Sequence, residues 1–318
     1  MKTLLITRTL PDRVLEAAKE RFDVTLRSSE TPMDAAEAAV ALKTYDTILP
    51  TLGDAFTAEC FASVPEPRCK ILANFGVGYN HIDVDAAKAV GIQVSNTPGA
   101  VTDATADIAM TLLLMAARRA GEGERLVRSG EWTGWTPTQM LGAHVSGKTV
   151  AILGMGRIGK AIARRCHHGF GMQVVFFNRS KVDDAGVPAT QMPEMKDALS
   201  QADFVVVAVP GGAGTHHLIN SDAFAAMKDS AIFVNIARGD VVDEVALIHA
   251  LEVGEIAAAG LDVYEKEPLV PLALRELENV TLLPHLGTAA LEVREAMGLM
   301  AVANLIAFEE GVALPNRV

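Results

Sequence analysis

The sequence predicts an α/β protein built from two doubly wound parallel sheets. Short Val-, Ile- and Leu-rich runs alternate with amphipathic helical stretches along nearly the whole chain. The alternation is laid out twice, once upstream and once downstream of residue 148. Half of the residues are hydrophobic and only 5% are aromatic, which suits buried aliphatic strands covered by helices. At 318 residues the chain can supply two domains, each with its own core.

In the first series, residues 4–7 read as a strand, 12–21 as an amphipathic helix and 24–26 as a strand. Residues 33–42 read as a helix, and 47–49 and 70–73 as strands. After Pro98-Gly99 a long helical pattern runs over 103–119, followed by a polar stretch with Trp132 and Trp135. The second series places strands at 150–153, 174–177, 204–209, 232–235, 258–261 and 280–283, with helical stretches between the first five. A final helical pattern, 291–308, is left over after the second sheet and is expected to return to the first. The predicted domains are therefore 1–99 plus 287–318, and 100–286, with a cleft between them. Helix 103–119 is apolar on more than one face; it reads either as a dimer seam or as a helix buried within one subunit.

Composition narrows the function. With 28 basic and 39 acidic residues the net charge is −11, and no Lys/Arg-rich run stands out. Nucleic acid and acidic membrane surfaces are thus not expected partners. The N-terminus reaches Arg8 and Asp12 too soon for a signal peptide. The most apolar stretch, 104–117, is interrupted by Asp107 and too short to cross a bilayer. Cys60, Cys69 and Cys166 are odd in number and form no C-x-x-C pair, so reduced thiols in a cytoplasmic protein are expected, with no disulfide frame and no metal site.

The chemistry starts at Thr149-Val150-Ala151-Ile152-Leu153-Gly154-Met155-Gly156-Arg157-Ile158-Gly159, a strand that ends in G-x-G-x-x-G and opens at once into a helix. Gly154 permits the tight turn, Gly156 lets backbone approach a pyrophosphate, and Gly159 lets helix and strand pack closely. Arg157 and Ile158 begin the helix, whose N-terminus favours phosphate. The alternative is a glycine-rich turn without a ligand. About 20 residues on, an NAD-preferring domain carries an acid for the ribose 2′-hydroxyl. Here the second strand runs into Asn178-Arg179-Ser180-Lys181. A guanidinium and a hydroxyl suit a 2′-phosphate, so NADP(H) is the expected cofactor. If Arg179 is merely an exposed loop residue, Asp183 or Asp184 could reach a ribose and NAD(H) would serve.

Three later clusters place polar residues just past predicted strands, where open α/β sheets bind ligands. They are Asn235-Ile236-Ala237-Arg238-Gly239-Asp240, Asp262-Val263-Tyr264-Glu265-Lys266-Glu267-Pro268 and Pro284-His285-Leu286-Gly287-Thr288. Together with the glycine turn, with Asn74-Phe75-Gly76-Val77-Gly78-Tyr79-Asn80-His81-Ile82-Asp83 and with Asn96-Thr97-Pro98-Gly99, they resemble the D-isomer-specific 2-hydroxyacid dehydrogenases over nearly the whole chain. The resemblance implies two Rossmann/flavodoxin-like domains, one for substrate and one for dinucleotide. It implies a catalytic set of Arg238, Glu267 and His285, and a substrate carboxylate held by the amides of Val77 and Gly78. It further implies cofactor contacts at Thr105, Val209, Pro210, Thr215, Ala237, Arg238, Asp262, His285 and Gly287.

The residue types suit that chemistry. A guanidinium clamps a carboxylate bidentately, histidine can give a proton to a developing alkoxide near neutral pH, and a carboxylate on its other nitrogen orients the ring. Taken singly, Arg238 could pair with Asp240 or Asp243, Glu267 could be solvated surface, His285 could be structural and Asp262 could simply end its strand. His81, His144, His167, His168, His216, His217 and His249 lack such a context and read as structural or surface residues.

The Asn74–Asp83 run and the Trp132/Trp135 segment look most like glyoxylate and hydroxypyruvate reductases of that family, which implies a small 2-oxo acid as substrate and a homodimer. Where most members carry Leu-Thr-Pro-Glu-Thr, this chain has Gly211-Gly212-Ala213-Gly214-Thr215. Two alternatives remain: an NAD-dependent D-2-hydroxyacid dehydrogenase with another substrate, and a non-catalytic nucleotide-sensing protein of the same fold.

Overall fold

Every pairing between strands in the molecule is parallel. The computed structural model describes all 318 residues, and these divide into two units, Met1–Val101 with Ala289–Val318, and Thr102–Thr288.

The first unit runs β1 (Thr3–Ile6), α1 (Asp12–Lys19), β2 (Asp23–Leu26), α2 (Ala35–Thr44), β3 (Thr47–Leu49), α3 (Ala58–Ala62), β4 (Ile71–Ala73), α4 (Val84–Ala89) and β5 (Gln93–Ser95). Its sheet order is β2-β1-β3-β4-β5, the doubly wound order that reverses between β1 and β3. Side chains alternate across it: Leu5, Ile48 and Leu72 face one apolar cluster, and Leu4, Ile6, Leu49 and Ile71 the other. The second cluster is completed by Ala301, Val302 and Leu305 of the C-terminal helix, Leu291–Glu309. Helix starts follow local chemistry: Asp34 and Glu37 form a capping box that starts α2 two residues after the expected position, and Asp83 caps α4. A short tail after the C-terminal helix lies on β5, where Arg317 bridges Ser95 in antiparallel fashion and the Val318 N–H reaches the Val94 carbonyl at 3.1 Å.

The second unit begins with α5 (Thr102–Ala117) and α6 (Ala120–Ser129). It continues as β6 (Thr149–Leu153), α7 (Arg157–Arg164), β7 (Gln173–Phe177), β8 (Ala189–Gln191), α8 (Met195–Gln201), β9 (Phe204–Val207), α9 (Ser221–Ala225), β10 (Ile232–Asn235), α10 (Glu244–Glu252), β11 (Ala258–Leu261), α11 (Leu272–Glu276) and β12 (Val280–Leu282). Its order, β12-β11-β10-β9-β6-β7-β8, is the nucleotide-binding arrangement with one added edge strand, and it reverses between β6 and β9. The inner strands β6, β9, β10 and β11 are buried on both faces, as apolar runs without alternation require.

Two expectations change. Helix α5 is not an open seam: Ala106, Ala109, Leu112, Leu113 and Ala116 are buried within its own unit, against β10, β11 and α7. The exposed apolar side chains lie beyond it, at Val127, Trp132, Trp135 and Leu141. The polar stretch after 119 also contains α6, which buries no residue and is steadied by a two-bond Arg119–Glu122 pair at 2.8 and 2.7 Å. No helix is long and apolar enough to cross a membrane.

The C-terminal helix meets α1 through Gly298, where an added Cβ would lie 2.6 Å from Val14 Cγ1 and closer still to Cγ2. Gly298→Ala is therefore expected to destabilise the protein by about 1–3 kcal/mol, read as a lowered denaturant midpoint. Val14→Ala in the same chain should return part of that loss. A Gly298→Ala protein as stable as wild type would show that the two helices separate freely.

Candidate active site

The carboxyl ends of the second unit's strands carry the chemistry. Between β6 and α7 the turn is Gly154-Met155-Gly156. Gly154 has φ +99°, and a Cβ there would lie 2.8 Å from the Ala208 carbonyl, just past β9. A Cβ on Gly159 would run into the Gly154 carbonyl oxygen, so helix and strand approach only because both residues are glycine. At Gly156 a Cβ would meet nothing within 4 Å. That leaves open space above the first amides of α7, at Arg157 and Ile158, where backbone N–H groups suit a phosphate. The turn thus fits a dinucleotide pyrophosphate.

Past β7, Asn178 ties this turn to the next loop. Its Oδ1 accepts the Met155 N–H at 3.2 Å, while Nδ2 donates to the Ser180 carbonyl and hydroxyl at 2.9 and 3.2 Å. Arg179 and Ser180 are exposed. The two acids that could reach a ribose are engaged elsewhere: Asp183 with Lys181 at 3.0 Å, and Asp184 with the Gly186 N–H at 2.7 Å. Past β9, Val209 and Pro210 lead into the glycine loop. There the Thr215 hydroxyl donates within its own turn, to Pro210 at 2.7 Å and Gly212 at 3.1 Å.

Arg238, Glu267 and His285 follow β10, β11 and β12. His285 Nδ1 lies 2.8 Å from Glu267 Oε2, and the Tyr264 N–H donates to Oε1 at 3.1 Å. Burial pushes the Glu267 carboxyl upward, but the His285 hydrogen bond and charge, the Tyr264 amide and Arg238 outweigh it and hold it below the usual range. Arg238 is half-buried, and burial lowers its pKa against the pull of Glu267 and Asp240. It forms no ion pair: one N–H meets the Ala237 carbonyl at 2.7 Å, and Asp243 instead caps α10. No other hydrogen bond or ion pair engages the guanidinium fork.

His285 has φ +55°, a left-handed conformation that costs free energy outside glycine. Asp262 holds it there. The Asp262 carbonyl accepts the His285 N–H at 2.9 Å, Oδ1 accepts Leu286 N–H at 2.6 Å, and Oδ2 accepts Gly287 N–H at 2.8 Å. Thr105 closes the same loop with a 3.1 Å bond to the Gly287 carbonyl. Burial raises the Asp262 carboxyl, opposed by these amides and the His285 charge. Several groups act as braces, a role the sequence did not assign them. Asn235 bonds the Ala237 N–H and the Arg238 carbonyl, each at 3.0 Å. Tyr264 donates to the Leu283 carbonyl at 2.9 Å, and buried Glu244 accepts the Glu265 N–H at 2.9 Å.

In the first unit, the segment after β4 forms a small nest. The carbonyls of Gly76, Val77 and Gly78 are all bonded, through Asn74 Nδ2, Asn96 Nδ2 and the Thr97 N–H. The Val77 and Gly78 N–H groups have no partner inside the protein. Consecutive free amides of this kind suit a small anion.

A nucleotide-binding sheet with a carboxylate-held histidine and a free guanidinium at its strand ends defines a dinucleotide-dependent oxidoreductase. Residues 110–287 match the model of the D-isomer specific 2-hydroxyacid dehydrogenase, NAD binding domain. A glyoxylate reductase of Thermococcus kodakarensis is 43% identical over 320 residues, 99% of this chain and 95% of the relative. A glycerate dehydrogenase of Hyphomicrobium methylovorum is 38% identical over 94% of each chain. The NADPH-dependent glyoxylate/hydroxypyruvate reductase of Sinorhizobium meliloti, solved with NADP and malonate, superimposes with a TM-score of 0.88 at 36% identity, covering 100% of this chain and 96% of that one. The chain belongs to the D-isomer specific 2-hydroxyacid dehydrogenase family.

Asp262→Asn supplies one acceptor oxygen where two amides are held, and turns its NH2 toward the other. It is expected to cost about 1–3 kcal/mol of stability and to speed hydrogen exchange at Leu286 and Gly287. Wild-type protection of both amides would remove Asp262 as the anchor of this loop.

Proposed function

We propose that the protein reduces a small 2-oxo acid of the glyoxylate or hydroxypyruvate kind to the D-2-hydroxy acid, with NADPH as reductant. The observation that carries this reading is the 2.8 Å His285–Glu267 pair beside a guanidinium that has no ion-pair partner. The names of the relatives support it, and NADP in the Sinorhizobium enzyme supports the cofactor. A nicotinamide held at this site would supply the hydride. As the carbonyl carbon accepts it, the oxygen takes up the π electrons and His285 gives that oxygen a proton from Nε2, Nδ1 being held by Glu267. Arg238 grips the substrate carboxylate and so aligns the ketone. The Val77 and Gly78 amides are further donors to that carboxylate. Gly154, Gly156, Arg157, Ile158 and Gly159 receive the pyrophosphate, and Arg179 with Ser180 the 2′-phosphate. Asn178 contributes by bracing the Arg179–Ser180 loop, the Val209, Pro210 and Thr215 loop borders the adenosine, Asp262 borders the nicotinamide, and Thr105, Ala237 and Gly287 are further cofactor contacts.

The same reading makes the protein a cytoplasmic homodimer. Its three cysteines are buried and unpaired, with burial raising Cys60 to about 11 and Cys69 and Cys166 to about 12, as inert thiols in a reducing compartment would be. The exposed Val127, Trp132, Trp135 and Leu141 supply an apolar contact surface for a second copy.

Removal of an acid–base group typically costs about 10²–10⁴-fold in rate. His285→Ala should lose that much kcat with glyoxylate while NADPH binding, followed by fluorescence, stays near wild type. Wild-type kcat in this variant would end the assignment. If wild type oxidises neither NADPH nor NADH across a panel of 2-oxo acids, the reductase reading fails and the alternative of a nucleotide-sensing binding protein is favoured.

A charged hydrogen bond is worth about 1.5–3 kcal/mol, so Arg179→Ala should weaken NADPH by roughly 10- to 150-fold. NADH, without a 2′-phosphate, should bind almost as before. Equal weakening of both cofactors would overturn the NADP preference.

A further inference from the structure

We propose that Asn96 is a positioning residue for the substrate carboxylate: its side-chain amide turns the Val77 carbonyl away so that the Val77 and Gly78 N–H groups face the anion. The inference rests on the functional reading above and assigns a role to a residue outside the catalytic set.

A carboxylate can settle on two consecutive amides only if the neighbouring carbonyl oxygens are turned elsewhere, because each carries partial negative charge. All three carbonyls of this turn are turned onto donors. Gly76 accepts from Asn74 Nδ2 and from the Thr97 N–H, both at 3.0 Å. Gly78 accepts from the same Asn74 amide at 3.0 Å. Val77, the middle one, has a single partner, Asn96 Nδ2 at 2.9 Å. A lost Asn96 amide would free the carbonyl whose peptide neighbours the two donors.

Asn96 is itself fixed from behind. Its N–H donates to the Asn316 carbonyl at 3.1 Å. Asn316 is clamped by Asn304, a fully buried residue of the C-terminal helix: the Asn316 N–H reaches Asn304 Oδ1 at 3.0 Å, and Asn304 Nδ2 reaches Asn316 Oδ1 at 3.2 Å. A chain of amide contacts therefore leads from the C-terminal helix to the Val77 carbonyl. Neutral amides suit this task, since a cation there would bind the anion itself and an acid would repel it.

The test uses the full chain with NADPH and oxalate, a non-reacting dianion, as the probe. Asn96→Ala should weaken oxalate inhibition about tenfold, near the upper end for one neutral hydrogen bond, and raise the oxo-acid KM by a similar factor with the NADPH dissociation constant unchanged. Asn96→Asp should be weaker still at neutral pH, where its carboxylate faces the Val77 carbonyl. It should recover relative to wild type as the pH falls toward its own pKa, because a protonated carboxyl can donate to that carbonyl. Oxalate inhibition as strong as wild type in both variants would overturn the proposal. So would a parallel loss of oxalate and NADPH binding with a lowered melting temperature, which marks Asn96 as a fold residue only. If the wild-type enzyme binds NADPH but is neither inhibited by oxalate nor active on 2-oxo acids, the functional reading itself fails, and this inference with it.

Discussion

The second unit's site geometry depends on one buried carboxylate. Asp262 ends β11 and gives both oxygens to backbone N–H groups of the next loop, at 2.6 and 2.8 Å. These bonds hold His285 in the left-handed region, where the ring can meet Glu267. An ionised group this deep is costly unless its lone pairs are filled. The amides of Leu286 and Gly287 fill them, and Thr105 takes up the Gly287 carbonyl. The strain at His285 and the desolvation of Asp262 are thus offset by the same pair of bonds.

Neutral amides recur wherever a loop must be shaped without adding charge. Asn235 shapes the Arg238 loop, Asn178 joins the glycine turn to Ser180, and Asn74 with Asn96 opens the Val77–Gly78 turn. Each asparagine both donates and accepts. The guanidinium proposed to meet the substrate, Arg238, is thereby left without a competing cation in its loop.

Much of this was legible in the sequence for a physical reason. Strands buried on both faces must be continuously apolar, and a phosphate turn between strand and helix must be rich in glycine, so β6 and α7 declare themselves in eleven residues. Arg238, Glu267 and His285 stood out because each follows such a strand. The short edge strands β5 and β8, of three residues each, gave no period to count, and α3, α4 and α11 span less than two helical turns. Helix α6 buries no residue and offers only Leu126 and Val127 as large apolar side chains, so it reads as part of a polar stretch. The bracing role of Asn96 depends on a partner 19 residues away, and Asp262 on loop amides more than 20 residues on. Such pairings exist only once the chain has folded.

The discontinuous first unit has a kinetic consequence. Leu4, Ile6, Leu49 and Ile71 share their cluster with Ala301, Val302 and Leu305, yet the whole of Thr102–Thr288 is made between them. At about 5–20 residues per second, the ribosome needs on the order of 10–40 s for that stretch. The contiguous nucleotide-binding unit can collapse as it emerges, while the first-made sheet waits with one apolar face uncovered. Its aggregation risk during synthesis is therefore set by the length of the inserted domain.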